Sequence, residues 1–431
     1  MKISKKQWLS FCITLFILIV VFPIYPKQNI SNILMYGTGG IFIISWILLP
    51  KKIEPQDKYY FIPFFIFMGI DLFSFLESDH YEYIIKVLVK DLRYGIIGII
   101  FCSLSKLPIR SKLLLTIFRR YYVMAIMCLC GLFCILWYYW RSHHLINEYN
   151  YDIRGRLQNM FNYSGTYFCI FVGTASLFIL DRLISRKNNI SFTLLSILAL
   201  CFLLFIQSHS YAEMPFYATI IVLIIRGILA IIPTKRGRTI LFSLLIITSG
   251  GIFTRLFLDL RTLNNYNLES AHPSRTNYLI KTDPTRVILY NTAFNIWKES
   301  SIDEKLFGVG IGDLRDVLYK KYRDFDIQRY DPDSPFDYEN HNQYLFYLNG
   351  TGILGLLTFL GFIFWLLFFV WKYAFSYFDL FFSLMSLFCL SFLTENVLYS
   401  QHGAILFGLI IILFSHLSIE NKKQITCSSK K

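Results

Sequence analysis

The segment Glu339-Asn340-His341-Asn342-Gln343-Tyr344-Leu345 sets one histidine among amides and a carboxylate, directly before an apolar run. A histidine in that setting suits general acid–base work, because its ordinary pKa lies near ambient pH. A histidine that only hydrogen-bonds backbone would look the same. Upstream, TRVILYNTAFNIWK at 285–298 and DLRDVLYKKYR at 313–323 space their apolar residues as helices. Between them runs Phe307-Gly308-Val309-Gly310-Ile311-Gly312-Asp313. Its backbone N–H groups at Gly308 and Gly310 would suit an anion, although a plain tight turn is the competing reading and the surroundings of a P-loop are missing. Lys86, Lys90 and Arg93 stand at i, i+4 and i+7 with Asp91 nearby, so they share one helix face inside an apolar stretch. Ionisable residues in a membrane span are costly and face a cavity or a partner, unless the span begins later and leaves them interfacial. Glu395 and Arg226 are equally costly and are expected to pair structurally. Asp331-Pro332-Asp333 is the nearest imitation of a metal-binding pair and reads as a solvated turn, so no metal and no cofactor are expected.

The elements that must position these residues are membrane helices. The chain has 431 residues, 55% hydrophobic and 16% charged, with mean hydropathy +0.49. Soluble domains carry about 25% charged residues. That shortage excludes a soluble enzyme, a disordered chain and a secreted disulfide scaffold. The fold class expected is an all-α integral membrane protein of about twelve transmembrane helices. The expected spans are 8–26, 32–50, 59–77, 84–104, 113–140, 163–180, 190–207, 214–233, 239–257, 351–371, 380–395 and 402–418. The first lacks a small-residue cleavage site and reads as a retained helix. Residues 1–257 thus carry spans one to nine, 258–350 form one large, partly helical outer loop, and 351–431 carry the last three spans and a basic tail. A second outer loop covers 141–162.

Net charge +14 then reads as topology. With both termini inside, the inner fringes hold 20 basic residues, among them Lys58, Arg110, Arg182, Lys372 and Lys422, while the short outer turns hold only Lys27. This is the positive-inside pattern. Loop 258–350 holds 11 basic and 14 acidic residues, so it is slightly negative. Eight cysteines fall in spans and Cys427 in the tail, so no disulfide is implied. The excess of basic residues sits in short fringes beside spans, which argues against nucleic-acid binding.

The stretch His341-Asn342-Gln343-Tyr344-Leu345, followed by Asn349-Gly350-Thr351-Gly352-Ile353-Leu354-Gly355-Leu356, resembles the O-antigen ligase and O-antigen polymerase superfamily. Arg286 followed by the turn Phe307–Asp313 is similar to the family's upstream element. Arg156-Leu157-Gln158-Asn159-Met160-Phe161-Asn162-Tyr163 resembles an earlier one. The order of elements is kept over roughly 150–420. There are departures: Tyr163-Ser164 replaces a Pro-Asn, and His209 in Gln207-Ser208-His209-Ser210-Tyr211 stands where an arginine is expected.

The resemblance implies a bacterial inner-membrane glycosyltransferase, multi-pass with both termini cytoplasmic, metal-independent, and acting on the periplasmic face. Its donor would be an undecaprenyl-diphosphate-linked glycan. On this reading His341 is the general base or orients the acceptor hydroxyl, and Arg286 binds the diphosphate. Arg154, Arg156, His209, Lys86, Lys90, Arg93, Gly308 and Gly310 add donor contacts. Asn342 either orients His341 or caps the next helix. Tyr338, Tyr344 and Tyr347 are expected to line a glycan path. The acceptor expected is the lipid A–core oligosaccharide of lipopolysaccharide. A polymerase joining lipid-linked repeats and a protein O-oligosaccharyltransferase differ only in acceptor. A transporter or flippase is the alternative of another class, although no half-to-half similarity supports it.

Overall fold

The structure is a computed structural model that describes residues 14, 16–17, 36–43, 55–74, 78, 81–105, 110–142, 165–185, 189–209, 212–232, 284–323 and 340–428. Its described residues are helical, with no strand among them. A 3₁₀ turn, Pro55–Tyr60, leads into α1 (Ile62–Phe73). Then come α2 (Tyr81–Ser105), α3 (Ser111–Ser142), α4 (Gly165–Ser185), α5 (Ile190–Ser208) and α6 (Glu213–Ile231). Four shorter helices follow: α7 (Pro284–Glu299), α8 (Ile302–Phe307), α9 (Ile311–Arg323) and α10 (Gln343–Gly350). The chain closes with α11 (Gly352–Tyr373), α12 (Phe375–Ser391) and α13 (Gln401–Ser428).

Among the described residues, six helices are long and apolar enough to cross a membrane: Ser111–Ile135, Gly165–Ile184, Ile190–Ser208, Met214–Ile231, Gly352–Tyr373 and His402–Ile425. The protein is therefore an all-α, multi-pass membrane protein by its helices. α1 and α12 are apolar but shorter, and α2 carries Lys86, Lys90, Asp91 and Arg93 within its 25 residues. α2 starts at Tyr81, so these charges lie inside the helix and not ahead of it. The expected span at 239–257 lies outside the described residues, and those at 8–26 and 32–50 lie largely outside them.

Packing, and not apolar pattern alone, decides which helix sits in the middle. A helix that is apolar all round is buried in the interior or in lipid. The spanning part of α13 is 100% buried within the protein, against 22% for α5. α13 packs on α2, α3 and α11, while α4, α6 and α12 form a second group of mutual contacts. α5 lies outside, exposing Leu194, Leu195 and Leu198.

The connector from α7 to α10 folds back on the bundle. α7 packs on α10, α8 on α11, and α9 on α10 and α2. Gly308, Gly310 and Gly352 all have positive φ, and each lets backbone approach closely. A Cβ on Gly308 would meet Gly350 C at 2.4 Å, and one on Gly352 would meet the Leu306 carbonyl at 2.2 Å.

Connectivity sorts the polar residues to two faces. α10, the α12–α13 turn at 392–400, and the starts of α2 and α4 share one face with the connector. Lys58, Lys372 and Lys422, with the α4 end at Arg182, share the other. These four basic residues thus lie at bundle-helix ends away from His341, while the connector helices carry Lys298, Lys305 and Arg323 at their own ends.

Candidate functional site

His341 sits at the mouth of α10, held in a left-handed backbone conformation (φ 44°) that non-glycine residues rarely adopt. Its imidazole Nδ1 lies 3.2 Å from Glu395 Oε2. The histidine side chain is 36% exposed and the glutamate 11%. Glu395 Oε1 accepts from the Thr166 hydroxyl at 3.1 Å, in the first turn of α4. Three chain segments far apart in sequence thus meet: 166, 341 and 395.

Around this dyad the amides act as braces. The Asn342 carbonyl oxygen Oδ1 accepts from the N–H groups of Tyr344 and Leu345, at 3.0 and 3.1 Å, and caps α10. Its Nδ2 donates to the Leu393 carbonyl at 2.9 Å. Asn342 is therefore a cap and a strut, and its side chain serves the protein instead of a substrate. Gln343 Oε1 accepts from Leu398 N–H at 2.9 Å, and Asn396 Nδ2 donates to Asn340 Oδ1 at 3.2 Å. These bonds tie 340–343 to the turn that carries Glu395. Tyr290 of α7 adds its hydroxyl, donating to the carbonyls of Leu393 at 2.9 Å and His341 at 3.3 Å.

Arg286 precedes Tyr290 by four positions in α7, and its side chain lies outside what the structure describes. Arg154 and Arg156 lie outside the described residues, as do Tyr338 and Asp331–Asp333.

The basic stripe of α2 resolves into separate environments. Lys90 Nζ lies 3.6 Å from the centroid of the Tyr399 ring, in the turn beyond Glu395. Tyr399 in turn meets the Phe346 ring of α10 at 5.6 Å. Arg93 is buried at 5% exposure. Asp91 is buried, as is Asp71 of α1, a second acid within an apolar helix. The Lys86 side chain lies outside the description.

His209 caps the C-terminus of α5, its ring 4.3 Å from Phe205 and its Nδ1 2.9 Å from the Phe205 carbonyl. α5 returns antiparallel to α4, and Gln207 Nε2 donates to the Cys169 carbonyl at 2.9 Å. His209 is thus on the same face as Thr166, beside an apolar pocket lined by Phe133, Cys134, Tyr138 and Phe205.

The glycine-rich turn is occupied by the protein itself. Val309 N–H donates to the Asn349 carbonyl at 2.8 Å, and Ile311 N–H to the Ser74 hydroxyl at 3.0 Å. Gly308 N–H donates to the Glu304 carbonyl at 2.7 Å. The expected anion cradle at Gly308 and Gly310 is therefore a docking turn: glycine is needed there because Gly350 and Ser78 press against it. Tyr347 is buried against Phe359 at 4.7 Å, and the Tyr344 hydroxyl donates to the Cys389 carbonyl. Tyr347 is therefore a buried packing group and not a glycan-lining surface, whereas Tyr344 is half-buried.

The expected Glu395–Arg226 pair does not form. Arg226 instead bonds Asp181 at 2.6 Å and approaches Asp379 at 3.9 Å, and Arg119 reaches Asp181 at 2.9 Å. Asp379 lies near the start of α12 and Glu395 in the turn beyond its end, and the 12 helical positions from Asp379 to Ser391 alone rise about 18 Å. An arginine held at one end cannot reach the other. The signal for Glu395 was present in the sequence as an ionisable residue in an apolar run. Its partner was not, because the pairing joins positions 341 and 395. Among the described residues no group of three or more His, Cys, Asp or Glu side chains could hold a metal ion.

No protein-family model matches the chain, and a search of curated proteins finds no match.

Proposed function

We propose that this protein is a membrane glycosyltransferase of the O-antigen ligase type, transferring a glycan from undecaprenyl diphosphate to a lipid A–core hydroxyl. The observation that carries the reading is the His341–Glu395 pair, set at one face of a membrane-helix bundle with a third of the imidazole open. An ionised carboxylate only accepts, so Nδ1–H faces Glu395 and the lone pair rests on Nε2. Nε2 then takes the proton of the acceptor hydroxyl as its oxygen attacks the anomeric carbon. The bond from that carbon to the diphosphate oxygen breaks, and its electron pair leaves with the lipid diphosphate. Glu395 would stabilise the imidazolium formed, as the carboxylate does in other His–carboxylate pairs.

The leaving diphosphate needs cations in place of a metal. Arg286 is the first candidate, through bidentate contacts. Lys90, next to the Glu395 turn, is the second, and Arg154, Arg156 and Lys86 are assigned the same task. On this reading the His341 face is periplasmic, and the basic face is cytoplasmic in the bacterial inner membrane.

The test is deletion of the gene in its host and resolution of lipopolysaccharide on a gel. Core lacking any O-chain, with long undecaprenyl-linked glycan accumulating, is the expected result. Core carrying a single repeat would reassign the acceptor to a second lipid-linked glycan and make the protein a polymerase. Unchanged lipopolysaccharide would overturn both.

A further inference from the structure

Within the connector, α8 turns two large apolar side chains outward. Ile302 is 76% exposed and Leu306 38%, and their spacing of four puts them on one face of the helix. Single apolar residues on a soluble surface carry no message. The depth of this pair does. α8 packs on α11, and the Leu306 carbonyl presses on Gly352, where a Cβ would meet it at 2.2 Å. Gly352 is the first residue of the span Gly352–Tyr373. A span of 22 residues rises about 33 Å, close to the hydrocarbon thickness of about 30 Å, so Gly352 lies at the edge of the hydrocarbon. Leu306 stands at that edge too, and Ile302 lies one helical turn from it. Just below on α11, Leu354 and Leu357 are exposed on the outside of the bundle as well.

The local structure of α8 suits an interface. Backbone at the bilayer edge must satisfy its own polar groups. Ser301 Oγ accepts from Glu304 N–H at 3.2 Å and Glu304 Oε2 from Ser301 N–H at 2.8 Å, a closed capping box at the start of the helix. At its end, Gly308 N–H donates to the Glu304 carbonyl at 2.7 Å. Asp303 and Glu304 stand about 100° and 200° around the helix from Ile302, so the apolar edge carries no acid. Trp297, in the last turn of α7, donates its indole N–H to the Lys305 carbonyl at 3.4 Å. An indole, the ring favoured at membrane interfaces, thus joins α7 to α8.

We propose that Ile302 and Leu306 insert into the lipid leaflet on the His341 side, which makes α8 an interfacial anchor that holds the connector to the bilayer surface. The occupant of the patch is the acyl-chain region just below the headgroups. The contact is apolar, so a zwitterionic lipid suffices. Through Trp297 the anchor also holds α7, whose Tyr290 braces His341. The inference is independent of the glycosyl-transfer reading and needs only that α11 spans a bilayer.

The test uses the full-length protein in phosphatidylcholine vesicles doped with a photoreactive phosphatidylcholine. Its diazirine sits either near the glycerol end of an acyl chain or at the chain terminus. After irradiation, peptide mass spectrometry maps the lipid adducts. With the shallow reagent, residues 302–306 are expected to be labelled within about threefold of Leu354 and Leu357. With the deep reagent their labelling should fall about fivefold or more, while Phe364, about 18 Å below Gly352, should gain. The double variant I302N with L306N, changed only at exposed positions, should lose most α8 adducts and keep those on α11. Unlabelled 302–306 beside a labelled α11 would mean that water, another part of the chain or a second copy meets the patch, and would overturn the proposal. Equal labelling of α8 by the two reagents, α8 adducts undiminished in the double variant, or an α11 that takes no label at all would overturn it too.

Discussion

Glu395 and Asp181 are both buried carboxylates, 8% and 7% exposed, and they lie near opposite ends of α4. Asp181 is clamped by two guanidinium groups, Arg226 at 2.6 Å and Arg119 at 2.9 Å, with Asp379 beyond. The contacts of Glu395 include the Thr166 hydroxyl and the His341 imidazole, and that imidazole is 36% exposed. Permanent charges on both sides make the Asp181 cluster a fixed joint between α3, α4, α6 and α12. A titratable partner with an open edge makes the Glu395 cluster one that can exchange a proton. Burial alone does not separate a structural ion pair from a reactive one. The kind of partner and its accessibility do.

Substitutions at the two ends should therefore fail in different ways. His341→Ala is expected to lower glycan transfer by about 10³-fold or more, near 4 kcal/mol of barrier, with membrane insertion and thermal stability unchanged. Lipopolysaccharide gels and a melting curve in detergent read both. Arg226→Ala should do the reverse, costing about 3–5 kcal/mol of stability by leaving Asp181 and Asp379 buried with less counter-charge. A melting temperature equal to that of the unaltered protein would contradict this picture of the joint. Glu395→Gln keeps size and removes charge, so transfer should fall by about 10²-fold with a stability change under about 1 kcal/mol. If the two clusters were alike, this variant would melt early as well. Asn342→Ala should give the smallest effect, about 1 kcal/mol of stability from the lost cap, with transfer reduced only as α10 frays. Loss of all transfer with stability intact would return Asn342 to the substrate.

How much of this was legible in the chain varies by element. The helices α3 to α6, α11 and α13 are readable because long apolar runs with few charges have one outcome in a bilayer, where every backbone group must bond within its own helix. His341 stood out by residue type and neighbours. Asn342 was ambiguous between orienting and capping, and only its bonds to Tyr344, Leu345 and Leu393 decide for capping. The turn at 307–313 read as a possible anion cradle because glycine spacing is the same for a cradle and a docking turn. What distinguishes them is whether a neighbouring backbone fills the space, as Gly350 does here. Glu395 and Arg226 looked alike, two costly charges in apolar helices, and no local signal says they belong to different ends.

The sequence by itself determined the solvent and the scaffold: a membrane, helices to cross it, and basic residues at one set of helix ends. These follow from composition and period, which each segment carries alone. The partners were decided by tertiary structure: Thr166 with Glu395, Glu395 with His341, and Arg226 with Asp181. Contacts across 54 positions, as between His341 and Glu395, or across 363, as between Tyr59 and Lys422, exist only once the helices have packed. Their energy depends on distance and burial, and neither is a property of any one segment.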